Sequence, residues 1–238
     1  MALMTKYRPK EFDSFYGSAD TVTALHNTVN RAIEDIPNTF LFHGPSGCGK
    51  TTLARIVANV YLKASGRDII EIDSADYRGI DSVRDIRKKM HLSPISGSQS
   101  VVYILDECHQ MTKDAQNALL KALEDTPKKT FFMLCTTEPE KLLKTIQTRS
   151  VSFKVDLLED DIMEELIAEV CEEEKFTLSK KHISMLVNKA EGSPRQALNL
   201  LDKVVGLDKD EIGDIFENFT TQETRAKELA QALIYQHS

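Results

Sequence analysis

Residues 44–51 read Gly44-Pro45-Ser46-Gly47-Cys48-Gly49-Lys50-Thr51 and match G-x-x-x-x-G-K-[ST] at every fixed position. This run constrains fold and ligand together. Its glycines let the backbone turn tightly enough for N–H groups to point inward at phosphate oxygens. Gly44, Pro45, Ser46, Gly47, Cys48 and Gly49 form the candidate cradle, with Lys50, Thr51 and Thr52 opening the helix behind it. Lys50 can reach β- and γ-phosphates, and Thr51 can offer its hydroxyl to Mg²⁺. The flanks agree. Thr39-Phe40-Leu41-Phe42 reads as a buried strand, and Thr52 to Ala58 as an amphipathic helix. Phosphates would then sit at a helix N-terminus. A chance glycine-rich turn is the competing explanation, and it gives no reason for strand before and helix after.

A chain of 238 residues holds one large domain or a core domain with a smaller one. Its 41% hydrophobic and 28% charged residues are those of a globular protein. No apolar run approaches the ~20 residues that span a bilayer, and Met1–Lys10 has no apolar stretch of a secretory signal. No membrane partner is expected. Cys48, Cys108, Cys135 and Cys171 form no C-x-x-C pair, so unpaired thiols in a reducing compartment are expected. The net charge of −7 is unevenly spread. Residues 1–155 carry 21 basic against 18 acidic side chains, and residues 156–238 carry 9 against 19. An acidic total neither supports nor excludes a local phosphate-binding face.

Residues 18–35 read as a helix with Val22, Leu25, Val29, Ala32 and Ile33 on one face. Short strands are expected at 69–72, 101–105, 130–135 and 151–153, with helices over 79–90 and from the N-cap Thr112 through Glu124. Val101-Val102-Tyr103-Ile104-Leu105 is apolar throughout, as in a strand covered on both faces. Strands alternating with helices predict an α/β fold with a parallel sheet between helical layers. Beyond residue 155 the pattern becomes helical, over 158–174, 179–190, 194–205, 208–218 and 221–236. Ser193-Pro194 is an N-cap followed by proline at the first helical position.

The strand 102–105 ends in Asp106-Glu107. Asp106 is a candidate to hold Mg²⁺ opposite Thr51, and Glu107 to orient and deprotonate an attacking water. A pair of carboxylates at a strand end is often only solvated, but a complete P-loop upstream favours the catalytic reading. Thr136-Thr137 ends the next strand, and a hydroxyl there can meet a γ-phosphate or the water. Arg149, in Thr148-Arg149-Ser150, reads by itself as a surface arginine. Arg195 stands in the first turn of a helix, where a cation opposes the dipole and hints at a bound anion.

In this order the segments resemble the AAA+ ATPase subunits of DNA sliding-clamp loaders, both bacterial tau/gamma and the small subunits of replication factor C. The resemblance covers residues 5–205. Lys6-Tyr7-Arg8-Pro9-Lys10-Glu11-Phe12 followed by Gly17 is similar to the adenine-side entry motif, which makes Tyr7, Arg8 and Pro9 nucleotide contacts. Asp106-Glu107-Cys108-His109 resembles D-E-x-H, and Asp114 to Lys121 the helix after it. Thr136-Thr137-Glu138-Pro139-Glu140-Lys141-Leu142 resembles a sensor-1 segment, and Gly192-Ser193-Pro194-Arg195-Gln196-Ala197-Leu198 a sensor-2 pattern. The resemblance makes Thr137 sensor 1, Arg195 sensor 2, and Arg149 an arginine finger acting in trans on a neighbouring subunit's ATP. A planar guanidinium suits charge on a transferring phosphoryl group.

Asp76-Tyr77-Arg78-Gly79-Ile80-Asp81-Ser82-Val83-Arg84 resembles the DNA-tracking segment of replication factor C subunits. Arg78, Gly79, Ile80 and Arg84 are then candidate contacts to template phosphates, in place of a capped helix with a solvated basic face. Such contact would be sequence-independent and salt-sensitive. Three departures stand out. Thr-Arg-Ser replaces the usual Ser-Arg-Cys, Pro194 replaces a larger apolar residue, and no cysteine lies between Cys48 and Cys108, so no zinc module is expected.

The implied organisation is an AAA+ nucleotide-binding αβα domain over 1–155, a helical lid over 156–206, and C-terminal helices over 207–238 that begin a short or truncated collar. The implied protein is an ATP- and Mg²⁺-dependent clamp-loader ATPase, cytoplasmic in a bacterial or phage-infected cell if prokaryotic. Its partners are other loader subunits, a sliding clamp and primer–template DNA. Competing readings are another AAA+ DNA motor, such as a Holliday-junction branch-migration protein, and a nucleotide-regulated scaffold that does not hydrolyse ATP. Intact Lys50, Asp106 and Glu107 speak against the scaffold. A small-molecule P-loop kinase is a remote fourth, since no basic acceptor lid is seen.

Overall fold

The structure, a computed structural model, describes residues 1–74, 79–95, 97–207 and 211–212. The chain divides into two compact units, Arg8–Glu159 on one hand and Met1–Tyr7 with the segment from Asp160 on the other.

The larger unit is built on five parallel strands, β1 (Thr39–His43), β2 (Ile69–Asp73), β3 (Val101–Asp106), β4 (Thr130–Thr136) and β5 (Val151–Lys154). Their order across the sheet is β2-β3-β4-β1-β5. The pairing register sets Phe42 beside Cys135 and Phe153, and Leu105 beside Leu134. The apolar runs follow from burial on both faces, because alternate residues enter opposite cores. Phe40, Phe42, Val102, Ile104, Phe131, Met133 and Phe153 pack in one cluster with Leu25, Leu53 and Ile56. Leu41, Tyr103, Leu105, Phe132 and Leu134 pack in the other with Val83, Ile86, Leu119 and Ile146.

The helices α2 (Ala19–Val29) and α3 (Lys50–Ile56) supply the first cluster; α4 (Ile80–Lys89), α5 (Lys113–Glu124) and α6 (Lys144–Thr148) supply the second. Numbering begins with α1 (Leu3–Lys6), which belongs to the smaller unit. Thr112 caps α5 as the sequence predicts, its Oγ1 accepting the Ala115 N–H at 3.2 Å. The helix expected over 18–35 is shorter. It ends at Val29, with the Asn30 N–H donating to the His26 carbonyl and Ala32 extended, and a single 3₁₀ turn follows at Ile33–Asp35. Pro37 disfavours helix at Ile36, which is extended.

In the smaller unit, α7 (Asp160–Glu173), α8 (Lys180–Ala190) and α9 (Pro194–Leu201) bury Leu166, Ile167, Val170, Leu186 and Leu198. Ser179 and Ser193 cap α8 and α9 through their hydroxyls. The expected continuation of α9 to 205 is a series of turns. The first seven residues join these helices. Leu3 is buried, its N–H donates to Asp202 at 3.3 Å, and Lys6 and Tyr7 both reach Glu174 Oε1, at 2.7 and 2.8 Å. Those two donors hold the Glu174 carboxyl below the usual carboxylate range. The helices expected over 208–218 and 221–236 lie outside the described residues, apart from 211–212.

The turn from β1 into α3 is where glycine is required. Gly44 has φ +152°, and a Cβ there would land on the carbonyl oxygen of Val155. Gly49 has φ +108°, and a Cβ there would stand 2.8 Å from the ring of Phe15. Gly44→Ala is expected to cost about 2–3 kcal/mol or more, because the obstacle is backbone that cannot swing away. Gly79→Ala, where a Cβ meets nothing within 4 Å, is expected to stay within about 1 kcal/mol of the parent. Urea unfolding of both variants checks the pair. In the sheet, Phe132 is fully buried and stacked on Tyr103 at 5.4 Å. Phe132→Ala should lower stability by about 3–5 kcal/mol in the same measurement.

Candidate functional site

Three strand ends meet at the carboxyl edge of the sheet. The glycine-rich turn follows β1, Asp106-Glu107 closes β3, and Thr136-Thr137 closes β4, which lies between the other two. Open parallel sheets hold ligands at this edge.

Lys50 opens α3 and is only 6% exposed. Its Nζ donates to the carbonyls of Gly44 at 2.9 Å and Pro45 at 2.8 Å. Among the described residues it makes no ion pair. A buried cation without a counter-charge is costly unless something anionic joins it. Next to it, Thr51 Oγ1 donates to Asp106 Oδ2 at 3.0 Å. Two hard oxygens, one of them a carboxylate, are the donor set that Mg²⁺ prefers. The cradle and its charges therefore fit a polyphosphate with Mg²⁺. No cluster of three or more His, Cys, Asp or Glu side chains able to hold a metal occurs among the described residues.

Glu107 has φ +46°, in the left-handed region. For a residue other than glycine this costs about 1–3 kcal/mol and persists only where the surroundings enforce it. Here its N–H donates to Asp106 Oδ1 at 3.1 Å, its carbonyl accepts the Gln110 N–H at 2.9 Å, and its Oε2 accepts the Thr137 hydroxyl at 3.2 Å. Cys108 and Cys135 lie fully buried behind the carboxylates, and burial pushes both thiols up. Burial likewise raises Cys48 in the glycine-rich turn, while His43, just before it, is held below the ordinary histidine value by burial and by Lys154. All four cysteines are free thiols.

The structure thus brings together Gly44 to Thr52, Asp106, Glu107 and Thr137. Arg149 caps α6 and pairs with Glu124 at 2.7 Å, both roughly half exposed. Tyr7 belongs to the smaller unit and donates to Glu174, while Arg8 and Pro9 open the larger unit. Arg195 lies in the first turn of α9. Gly79 is the N-cap of α4, Ile80 its first residue, and Arg84 pairs with Asp81 at 3.0 Å. Arg78 lies outside the described residues, as do Ala75, Asp76 and Tyr77.

Two neighbours of the site were not assigned from the sequence. The ring of Phe15 packs against Gly49, and nothing in a lone aromatic signals this. His109 lies beside Glu107, and its place in Asp-Glu-x-His was the available signal.

Comparison with known proteins agrees with these motifs. The family described as DNA polymerase III, delta subunit, matches residues 63–159. DNA polymerase III subunit gamma/tau of Mycobacterium tuberculosis is 33% identical over 86% of this chain and 39% of its own length. Subunit tau of Bacillus subtilis is 31% identical over 88% of this chain and 40% of its own. Subunit gamma of Buchnera aphidicola (Schizaphis graminum) is 30% identical over 88% and 62%. The chain thus spans about two fifths of the length of the first two. Among solved structures, the RuvB Holliday junction branch migration motor of Thermotoga maritima superposes with a TM-score of 0.71, covering 89% of this chain and 72% of that one. At 22% identity this likeness is one of fold alone. In sequence the chain is similar to the gamma/tau subunits of DNA polymerase III, and in fold to RuvB.

Proposed function

We propose that this chain is an ATPase subunit of a DNA polymerase sliding-clamp loader. The buried ammonium of Lys50, without an ion pair among the described residues and beside the Thr51–Asp106 pair, carries the reading. Such a cation neutralises triphosphate charge, and each charge-assisted contact strengthens as water leaves. Thr51 and Asp106 would hold Mg²⁺, which supplies positive charge against the phosphate oxygens. Glu107 takes a proton from the attacking water, and Thr137, already hydrogen-bonded to Glu107 at 3.2 Å, fixes where that carboxylate points.

Arg149 completes a neighbouring subunit's site. Its bond to Glu124 is an exposed pair of a kind worth about 0–1 kcal/mol, so a phosphate can compete for the guanidinium. Residues 1–155 would be the nucleotide-binding domain, 156–206 the lid carrying Arg195, and 207–238 the start of a collar. Tyr7, Arg8 and Pro9 would border the adenine. ATP then favours an assembly that opens the clamp and grips primer–template DNA, with Arg78, Gly79, Ile80 and Arg84 toward the template phosphates. Hydrolysis releases clamp and DNA. ATP, clamp and DNA act as linked ligands of one assembled state.

Lys50→Ala is expected to weaken nucleotide affinity roughly 10- to 100-fold. Arg149→Ala should leave affinity near the parent's and lower turnover by about 10³ or more. Mixing the two proteins should restore part of the activity through hybrid interfaces, measured as steady-state phosphate release. No recovery despite proven co-assembly would remove the trans role. Primed DNA and a sliding clamp together should stimulate hydrolysis by the assembled loader beyond either alone. Absence of joint stimulation would count against loading.

A further inference from the structure

His109 sits in the short turn Cys108–Gln110 directly after β3, its side chain 8% exposed. Nδ1 lies 3.3 Å from Glu107 Oε2 and 3.0 Å from the hydroxyl of Thr136. Nε2, on the other edge of the ring, lies 3.3 Å from Glu138 Oε1. Glu138 is itself tethered: its Oε2 meets Lys141 Nζ at 2.6 Å, and its N–H donates to Thr136 Oγ1 at 3.0 Å. The ring thus stands between two carboxylates, hydrogen-bonded at Nδ1 to Thr136 Oγ1 and with a carboxylate oxygen 3.3 Å from each ring nitrogen. It links the turn after β3 to the end of β4. A buried ring anchored at Thr136 has little freedom, and the Glu107 oxygen it neighbours is the one that also accepts the Thr137 hydroxyl.

We infer that His109 is a positioning residue for Glu107: Thr136 anchors the ring at Nδ1, that edge faces the Glu107 carboxylate, and Glu138 stands against the Nε2 edge. The inference rests on the reading of Glu107 as the proton acceptor for the attacking water. It extends that reading, because the direction in which Glu107 points becomes coupled to the Glu138–Lys141 pair, which lies at the surface. Displacing a catalytic group by an ångström can cost about a hundredfold in rate without touching substrate affinity. Loss of the ring should therefore appear in kcat and leave KM for ATP unmoved.

The test compares His109→Ala, His109→Asn and His109→Gln in the assembly in which the parent chain hydrolyses ATP, with Glu107→Gln as reference. The asparagine amide nitrogen replaces Nδ1, and the glutamine nitrogen replaces Nε2. Both side chains are polar and close in size, so a role in packing alone treats them alike. His109→Ala is expected to lower kcat by about 10- to 100-fold with KM and nucleotide affinity within about twofold of the parent. His109→Asn should recover most of the loss, and His109→Gln should not.

Equal recovery by both, parent-like kcat in His109→Ala, or a fall in nucleotide affinity matching the fall in rate would each overturn the inference. If His109→Ala fails to fold, the comparison of His109→Asn with His109→Gln decides by itself. The reference separates the two levels. Glu107→Gln without hydrolysis, next to a fully active His109→Ala, sinks the positioning role alone. Parent-like turnover in Glu107→Gln sinks the assignment of Glu107, and the positioning role with it.

Discussion

Parallel pairing of β1, β4 and β3 is the constraint from which the rest of the site follows. All three strands run the same way, so their carboxyl ends reach one edge, and β4 spaces the turn after β1 from the carboxylates after β3. Thr51 and Asp106 are 55 positions apart in sequence, yet they share a 3.0 Å hydrogen bond across that edge. Helices on both faces keep the strands in register, because β1, β2, β3 and β4 each contribute side chains to two separate cores. A slip of one residue would exchange the faces of every strand residue, so register is held by burial rather than by any single bond.

On this frame one positive charge is buried without an ion pair among the described residues. Lys50 is buried against carbonyls, while the nearby thiols of Cys108 and Cys135 are kept neutral by burial. Glu107 occupies a left-handed backbone conformation, held there by hydrogen bonds at its N–H, its carbonyl and its carboxylate. Backbone strain at Glu107 and a buried charge at Lys50, both at the carboxyl edge of the sheet, are features that gather at functional sites. The proposed ATPase reading uses both. The ammonium supplies what a triphosphate lacks, and the fixed carboxylate supplies a directed proton acceptor.

Similarity to the gamma/tau subunits of DNA polymerase III and the proposed function stand at different levels. Identities of 30–33% cover most of this chain but only part of each relative. RuvB shares the architecture at 22% identity, and a shared architecture does not carry a shared function. The groups proposed for this chain's assembly and DNA contact are Arg149, which pairs with Glu124, and residues at the start of α4.

Local chemistry made much of this legible in the sequence. Gly44 to Thr51 announced a tight turn because positive φ at Gly44, Gly47 and Gly49 favours glycine. Apolar runs such as 101–105 announced strands buried on both faces, and Thr112, Ser179 and Ser193 mark helix starts through short-range hydroxyl bonds. Helix ends were less legible, since α2 stops at the cap Asn30, and Pro37 restricts Ile36 beyond it, in ways that periodicity does not register. What only the tertiary structure decided depends on contacts between distant segments. Phe15 beside Gly49, the Leu3–Tyr7 segment among the later helices, and His109 between Glu107 and Glu138 are fixed by packing in three dimensions. Residue type and spacing state which groups are available, and the parallel sheet decides which of them meet.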